Sequence, residues 1–181
     1  DKKKHFHFCH RPAQSQNALH ALYPNLPNKV YIETNDPAIK VTSSLAKKIS
    51  KNGGAFLIID YGCFEGVGNT LQAVFKHSFS DPLNNPGASD LTTQVNFSNL
   101  SCAASNHGLR SSKLCSQRDF LMALGIETRS IVLGSKMSSE KKDIHFRAID
   151  RLINKDEMGE TFKVMAFTVQ DAPKLPFLET K

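Results

Sequence analysis

Residues 55 to 62, AFLIIDYG, constrain this chain more than any other segment: an unbroken apolar run that ends in a carboxylate, a phenol and a glycine. A strand with one wet face alternates in polarity, so continuous apolarity calls for a strand covered on both faces, as in a parallel sheet. Open α/β sheets place ligands beyond the carboxyl ends of such strands, and Asp60 and Tyr61 stand there in this reading. A capping carboxylate and a packing ring are the structural alternatives for the pair. The run also falls far short of the roughly 18 apolar residues of a membrane helix, so no membrane span is expected.

The flanking residues supply the rest of an α/β pattern. Asp36-Pro37 reads as an N-cap followed by proline at the first helical position. Ala38, Val41, Leu45 and Ile49 follow at helical spacing, and Gly53-Gly54 stop the helix after a basic last turn. Beyond the strand, Gly62, Gly66 and Gly68 make a turn that lacks the GK[ST] ending of a phosphate loop. TLQAVFKHSF alternates as one strand does, and DPLNNPGASD is punctuated like a lid or substrate wall. Residues 97–106 with Gly108 read as a helix and its stop, and residues 109–115 as a strand. Ser116 and Asp119 form a capping box that opens a helix through Leu124. Residues 138–153 form a charged amphipathic helix that buries Ile144, Ile149, Leu152 and Ile153, and residues 162–169 a last strand.

Composition narrows the class. The chain has 181 residues, 40% of them apolar, which suits a folded core and excludes a disordered chain. The net charge of +6 is confined to the front: residues 1–51 carry nine basic and three acidic residues, leaving fourteen of each sign behind them. Solvated lysines account for that excess, because no basic stripe is interleaved with aromatics as a nucleic-acid face requires. Cys9, Cys63, Cys102 and Cys115 lack CxxC spacing and read as reduced thiols. In HFHFCH, His5, His7 and Cys9 would share one face of a strand, but such ligands cannot close a tetrahedron without distant partners, so no metal is expected. Residues 11–28, with three prolines, read as a loop. The polar N-terminus shows no secretory leader.

Four separated blocks, GGAFLIIDYG, TLQAVFKHSFSDPLNNPGASDLTTQVNF, SQRDFLMALGIETR and MGETFKVMAF, carry a resemblance. In their order and spacing over residues 30–169 they are similar to the C-terminal half of the MidA family of S-adenosylmethionine-dependent methyltransferases, which includes the mitochondrial complex I assembly factor. The resemblance implies a partial class I, Rossmann-like methyltransferase sheet. Residues 55–60, 109–115 and 162–169 would be its fifth, sixth and seventh strands, the last running antiparallel between the other two, with a β-hairpin and loop lid inserted at about 62–96. Residues 1–29 would be an N-terminal strand and loop, and residues 170–181 a tail.

The activity so implied is methylation of an arginine side chain on a complex I subunit, by displacement of methyl from a sulfonium onto a guanidinium nitrogen. On the matching positions, Asp60, Tyr61 and Asp90 are the candidates for orienting the guanidinium, and His77, Thr92 and Gln94 for lining the substrate cleft. Asp81-Pro82 and Pro86-Gly87 match the lid motif, whereas Gln94 and Asn96 replace a histidine and an aspartate of the family. The complete family protein binds S-adenosylmethionine through a glycine-rich loop and an acidic residue in its N-terminal half. Neither is found here, and the chain starts at Asp1 rather than Met, so the expectation is a C-terminal half that binds no cofactor alone. Its bare strand would pair with the missing half or with another copy. The implied setting is the bacterial cytoplasm or the mitochondrial matrix. A non-catalytic interaction module is the first alternative, and a basic nucleic-acid-binding protein the second.

Overall fold

A computed structural model describes residues 5–10, 30–66, 68–173 and 175. The chain forms two compact units: Asp1–Thr34 with Val67–Gln94, and Asn35–Gly66 with Val95–Lys181.

The second unit is a mixed α/β sheet with helices. Strand β1 (Ala55–Cys63) pairs antiparallel with the last strand, Phe162–Val169, over the whole register from Ala55↔Thr168 to Tyr61↔Phe162. That last strand also pairs antiparallel with Leu109–Ser111 and Cys115–Ser116, so it lies between β1 and both. On its other edge β1 meets the short strand Val95–Asn96, parallel, at Gly62 and Cys63. Numbered in chain order, these are β5 (Val95–Asn96), β6 (Leu109–Ser111), β7 (Cys115–Ser116) and β8 (Phe162–Val169), with β2 to β4 in the first unit. Among the described residues, the β1 edge from Ala55 to Tyr61 opposite β8 has no ladder partner.

Helices α1 (Asp36–Asn52) and α2 (Phe97–Ser105) cover one face of this sheet. Ala46, Phe97, Leu100, Leu109, Met165 and Phe167 form the core there, and the Phe56 and Phe167 rings stack at 4.6 Å. Burying an aromatic or aliphatic side chain of this kind contributes about 1.5–3 kcal/mol. The other face holds a smaller cluster, Val164 and Ala166 with Cys115, Phe120 and Leu175 packed on it. Helix α3 (Gln117–Ala123) brings Phe120 there, and α4 (Ile126–Gly134) and α5 (Ser139–Ile153) follow it.

Several expectations are corrected. The N-cap of α1 is Asn35, whose side chain accepts from the Ala38 N–H at 3.1 Å, so Asp36 is already helical. The buried row of α1 is Thr42 and Ala46, leaving Val41 60% exposed, because small side chains let the helix approach the sheet closely. The apolar run of β1 is not covered on both sides: Phe56 and Ile58 pack on the core, while Leu57 and Ile59 are 44% and 43% exposed. Ile144 of α5 is exposed and only Ile153 of its expected stripe is buried.

Residues 109–115 form two strands rather than one. One extra residue lies between Ser111↔Phe167 and Cys115↔Val164, a bulge in which the buried Ser112 exchanges hydrogen bonds with Ala166. Its Oγ accepts from the Ala166 N–H at 3.0 Å. TLQAVFKHSF, which alternates as a strand would, is a hairpin as the resemblance implies for this insertion, turning at Lys76 and His77, whose φ angles of 50° and 64° suit a tight two-residue turn. Among the described residues, 5–10 pair with no strand, so the strand expected there is not formed with them. The loop expected over residues 11–28 lies outside the described residues.

Candidate functional site

The sequence candidates divide between the two units. Asp60 and Tyr61 belong to the second, and His77, Asp90, Thr92 and Gln94 to the first.

Because Gly62 and Cys63 extend β1 to meet β5, Asp60 and Tyr61 lie within the strand rather than at its end. One Asp60 oxygen, Oδ1, accepts from the Tyr61 N–H at 2.8 Å. Its ladder partner is Lys163, but that ammonium is engaged by Glu160 at 3.0 Å. The Tyr61 ring meets Phe162 edge-on, with centroids 5.8 Å apart. Gly62 has its own reason. A β-carbon there would run into the Val95 carbonyl, so glycine is what allows β5 to approach.

In the first unit, β2 (Gln72–Phe75) pairs with β3 (Ser78–Ser80) and with β4 (Asp90–Thr92). Asp90 stands opposite Val74 and Thr92 opposite Gln72, so strand alternation places Asp90 and Thr92 on one face. His77 is exposed in the β2–β3 turn, at the other end of β2 from Thr92. Among the described residues the Asp90 carboxylate has no hydrogen-bond or ion-pair partner, which leaves both oxygens available to a cation.

Sequence reasoning missed the network at the end of this sheet. The Thr70 N–H donates to Glu33 Oε1 at 2.9 Å, and the Thr70 hydroxyl donates to Glu33 Oε2. The same hydroxyl accepts from the Gln94 N–H at 2.9 Å. A carboxylate 37 residues before Thr70 thus anchors, through the Thr70 hydroxyl, the segment that follows β4, by its backbone rather than by the Gln94 amide. No local pattern marks Glu33, since its partner is distant in sequence. Asn96, the other amide in place of a titratable group, accepts from the Asn99 N–H at 3.1 Å and caps α2.

A second missed pair joins α4 to α5. His145 Nε2 lies 3.0 Å from the Ser130 hydroxyl and 3.1 Å from the Ser130 carbonyl oxygen. A carbonyl only accepts, so Nε2 carries the proton and donates to Ser130. A serine nucleophile needs the opposite tautomer, so this is a tie between helices. Burial pushes the Cys115 thiol above its ordinary value, with Asp119 adding to the rise and Lys163 opposing it.

Of the three glycines read as a turn, Gly62 lies within β1 and Gly66 and Gly68 follow it. The space that a β-carbon would take at Gly62 is filled by Val95, and at Gly66 by the Cys63 sulfur. The described residues contain no group of three metal-ligating side chains and no helix long and apolar enough to cross a membrane.

Comparison with known proteins places these features. Residues 1–115 match the family model described as "Putative S-adenosyl-L-methionine-dependent methyltransferase". The chain is 31% identical over 173 residues to the mitochondrial protein arginine methyltransferase NDUFAF7 of Danio rerio, covering 96% of this chain and 40% of that protein. It is 35% identical over 137 residues to the Rattus norvegicus counterpart, covering 75% and 31%. A crystal structure of an uncharacterized superfamily protein from Burkholderia thailandensis overlays with a TM-score of 0.80 at 25% identity, over 100% of this chain and 50% of that one. Another from the same organism, bound to S-adenosyl-homocysteine, overlays with a TM-score of 0.75 at 27% identity, over 98% and 47%. The chain therefore spans less than half the length of these curated relatives and about half of the solved structures.

Proposed function

Because the chain belongs to this family of S-adenosyl-L-methionine-dependent methyltransferases, we propose that it is the C-terminal part of a MidA-type protein arginine methyltransferase linked to respiratory complex I assembly. The observation that carries this reading is the strand order, with β8 antiparallel between β1 and β6, together with an overlay confined to half of the solved neighbour. In it β1, β6 and β8 are the fifth, sixth and seventh strands, and the open β1 edge receives the strand before them. The domain map runs from an N-terminal segment at 1–29, through 30–169 with its lid at about 62–96, to a tail at 170–181.

The catalytic roles fall to carboxylates and a phenol. A guanidinium offers paired N–H donors, which a carboxylate takes up in parallel. Among the described residues Asp90, in the first unit, has both oxygens for that task, while in the second unit Asp60 has one and Tyr61 offers a phenol. His77, Thr92 and Gln94 line the approach. Holding the nitrogen in line is worth more here than moving a proton, since positioning alone removes several kcal/mol of barrier, up to about 7–11 in well-aligned systems. Cofactor binding is assigned in this reading to the N-terminal half, supported by Gly62 and Gly66, where Val95 and the Cys63 sulfur fill the space a cradle needs. The partners are that half, or a second copy, and the protein substrate. The setting is the mitochondrial matrix or the bacterial cytoplasm.

The test uses this chain alone and complemented by the N-terminal half of the Danio rerio relative. Calorimetry with S-adenosylmethionine should register binding only for the pair, and only the pair should methylate arginine peptides. Tight binding by the chain alone would overturn the division of labour, and a cofactor-loaded pair that transfers no methyl would overturn the enzyme. A non-catalytic interaction module is the second reading, favoured by Asn96, whose amide is committed to capping α2 and cannot titrate.

A further inference from the structure

In the second unit, helices α3, α4 and α5 border a cavity of about 280 Å³. Leu121, Leu124, Ile126, Leu133 and Ile149 line it, and Arg129, Ser130 and His145 are its polar members. We propose that this cavity binds a short aliphatic carboxylate, its chain against the apolar walls and its head on Arg129. The site goes beyond the methyltransferase reading and shares none of the residues given substrate roles in it.

Packing explains why a gap stays open here. Helix α4 meets α5 through small residues: the buried Ser130 takes the His145 ring on its hydroxyl and carbonyl, and a β-carbon at Gly134 would sit 3.2 Å from the Phe146 ring. These two contacts set the spacing of the helices. Ile126 and Leu133 of α4 and Ile149 of α5 then border the gap rather than fill it. Leu124 and Leu133 remain 51% and 41% exposed, so apolar surface is left for a ligand to cover. Each methylene buried there should tighten binding about fourfold.

The polar members narrow the head group. His145 Nε2 and Ser130 answer each other. Arg129 is exposed, and among the described residues its guanidinium has neither a hydrogen bond nor an ion pair. Among those residues the lining also holds no carboxylate. A cation would therefore meet Arg129 unfavourably, and a sugar would bury its hydroxyls against apolar walls without partners. A guanidinium takes a carboxylate by paired N–H donors, which an alcohol or an amine cannot match. An engineered apolar cavity of about 150 Å³ admits benzene, so a cavity nearly twice as large takes about eight to ten carbons.

Nuclear magnetic resonance titration of the full chain with octanoate tests the site, read at the methyl groups of Leu133 and Ile149. Those methyls should shift and saturate, while those of Ile59, half-exposed on β1, stay in place. Hexanoate, two methylenes shorter, should bind about fifteenfold more weakly. Octylamine should bind more weakly than octanoate. Arg129→Gln, at an exposed position, should weaken octanoate about threefold at low salt and leave octanol unchanged. Leu133→Trp, which fills the cavity from a side chain already part-exposed, should abolish binding of both. Equal binding of hexanoate or octylamine, unchanged octanoate binding by both variants, or equal shifts at Ile59 would overturn the site. Sedimentation with anionic phospholipid vesicles without octanoate binding would make this face a membrane contact and overturn the free acid.

Discussion

Gly62 and Val95 are packed so closely that no β-carbon fits between them, and this contact joins β1 to β5. Gly62→Ala must push the Val95 backbone away, and overpacking of this kind costs about 1–3 kcal/mol. Gly125→Ala, in the left-handed helical region at φ 78° and ψ 34° but in open space, should cost about 1 kcal/mol through backbone strain alone. Urea unfolding should rank Gly62→Ala as the more damaging, and equal midpoints would show that β5 yields freely.

Thr70 links Glu33 to the Gln94 backbone, so Thr70→Val leaves a carboxylate oxygen and an N–H unanswered. The expected cost is about 1–3 kcal/mol, with Thr70→Ser close to the parent. Amide hydrogen exchange at Gln94 should quicken in the valine variant. Unchanged protection there would mean that β4 is held by its ladder alone.

Cys115 carries a thiol raised above its ordinary 9.0 chiefly by burial. The folded state thus favours the neutral thiol. The stability this contributes is fully present below pH 9.0, the unfolded value, and is lost as pH rises through the higher folded value. Parent and Cys115→Ala should converge in urea stability as pH is raised past that window. Alkylation at neutral pH should also reach exposed Cys9 and Cys102 before Cys115. Early modification of Cys115 would contradict the burial argument.

Leu57 and Ile59 leave an apolar face on β1 beside an unpaired edge, a combination that invites association. The parent should elute from size exclusion as more than a monomer. Leu57→Lys with Ile59→Lys should move it toward the monomer at a stability change within about 1 kcal/mol, as for surface positions. A monodisperse parent monomer would remove the premise.

Much of the local structure was legible in the residues. Ser116 does cap α3, accepting from the Asp119 N–H at 3.0 Å, and Gly53 does close α1 with its N–H on the Ile49 carbonyl at 2.8 Å. The lid segment was recognisable as a motif, but its hairpin turn at Lys76-His77 was not, because neither residue is a customary choice for positive φ. Of the candidate site, Asp60 is legible from its place on an apolar strand and Asp90 only through the family resemblance, and their difference, one oxygen spent against none among the described residues, is a matter of neighbours.

By itself the sequence determined the bounds of α1, α2, α3, α5 and β8 to within a residue or two, but not α4, β4 or β5, and that β1 is too apolar for a strand wet on both sides. Caps, glycines and periodicity act over a few residues, so they can be read along the chain. Only the tertiary structure decided that α1 buries Thr42 and Ala46 rather than Val41, and that Glu33 reaches Thr70. Periodicity sets the width of an apolar stripe, not which of two adjacent rows meets the sheet. That choice, like a hydrogen bond across 37 residues, is made by close packing and by the need of each buried polar group for a partner.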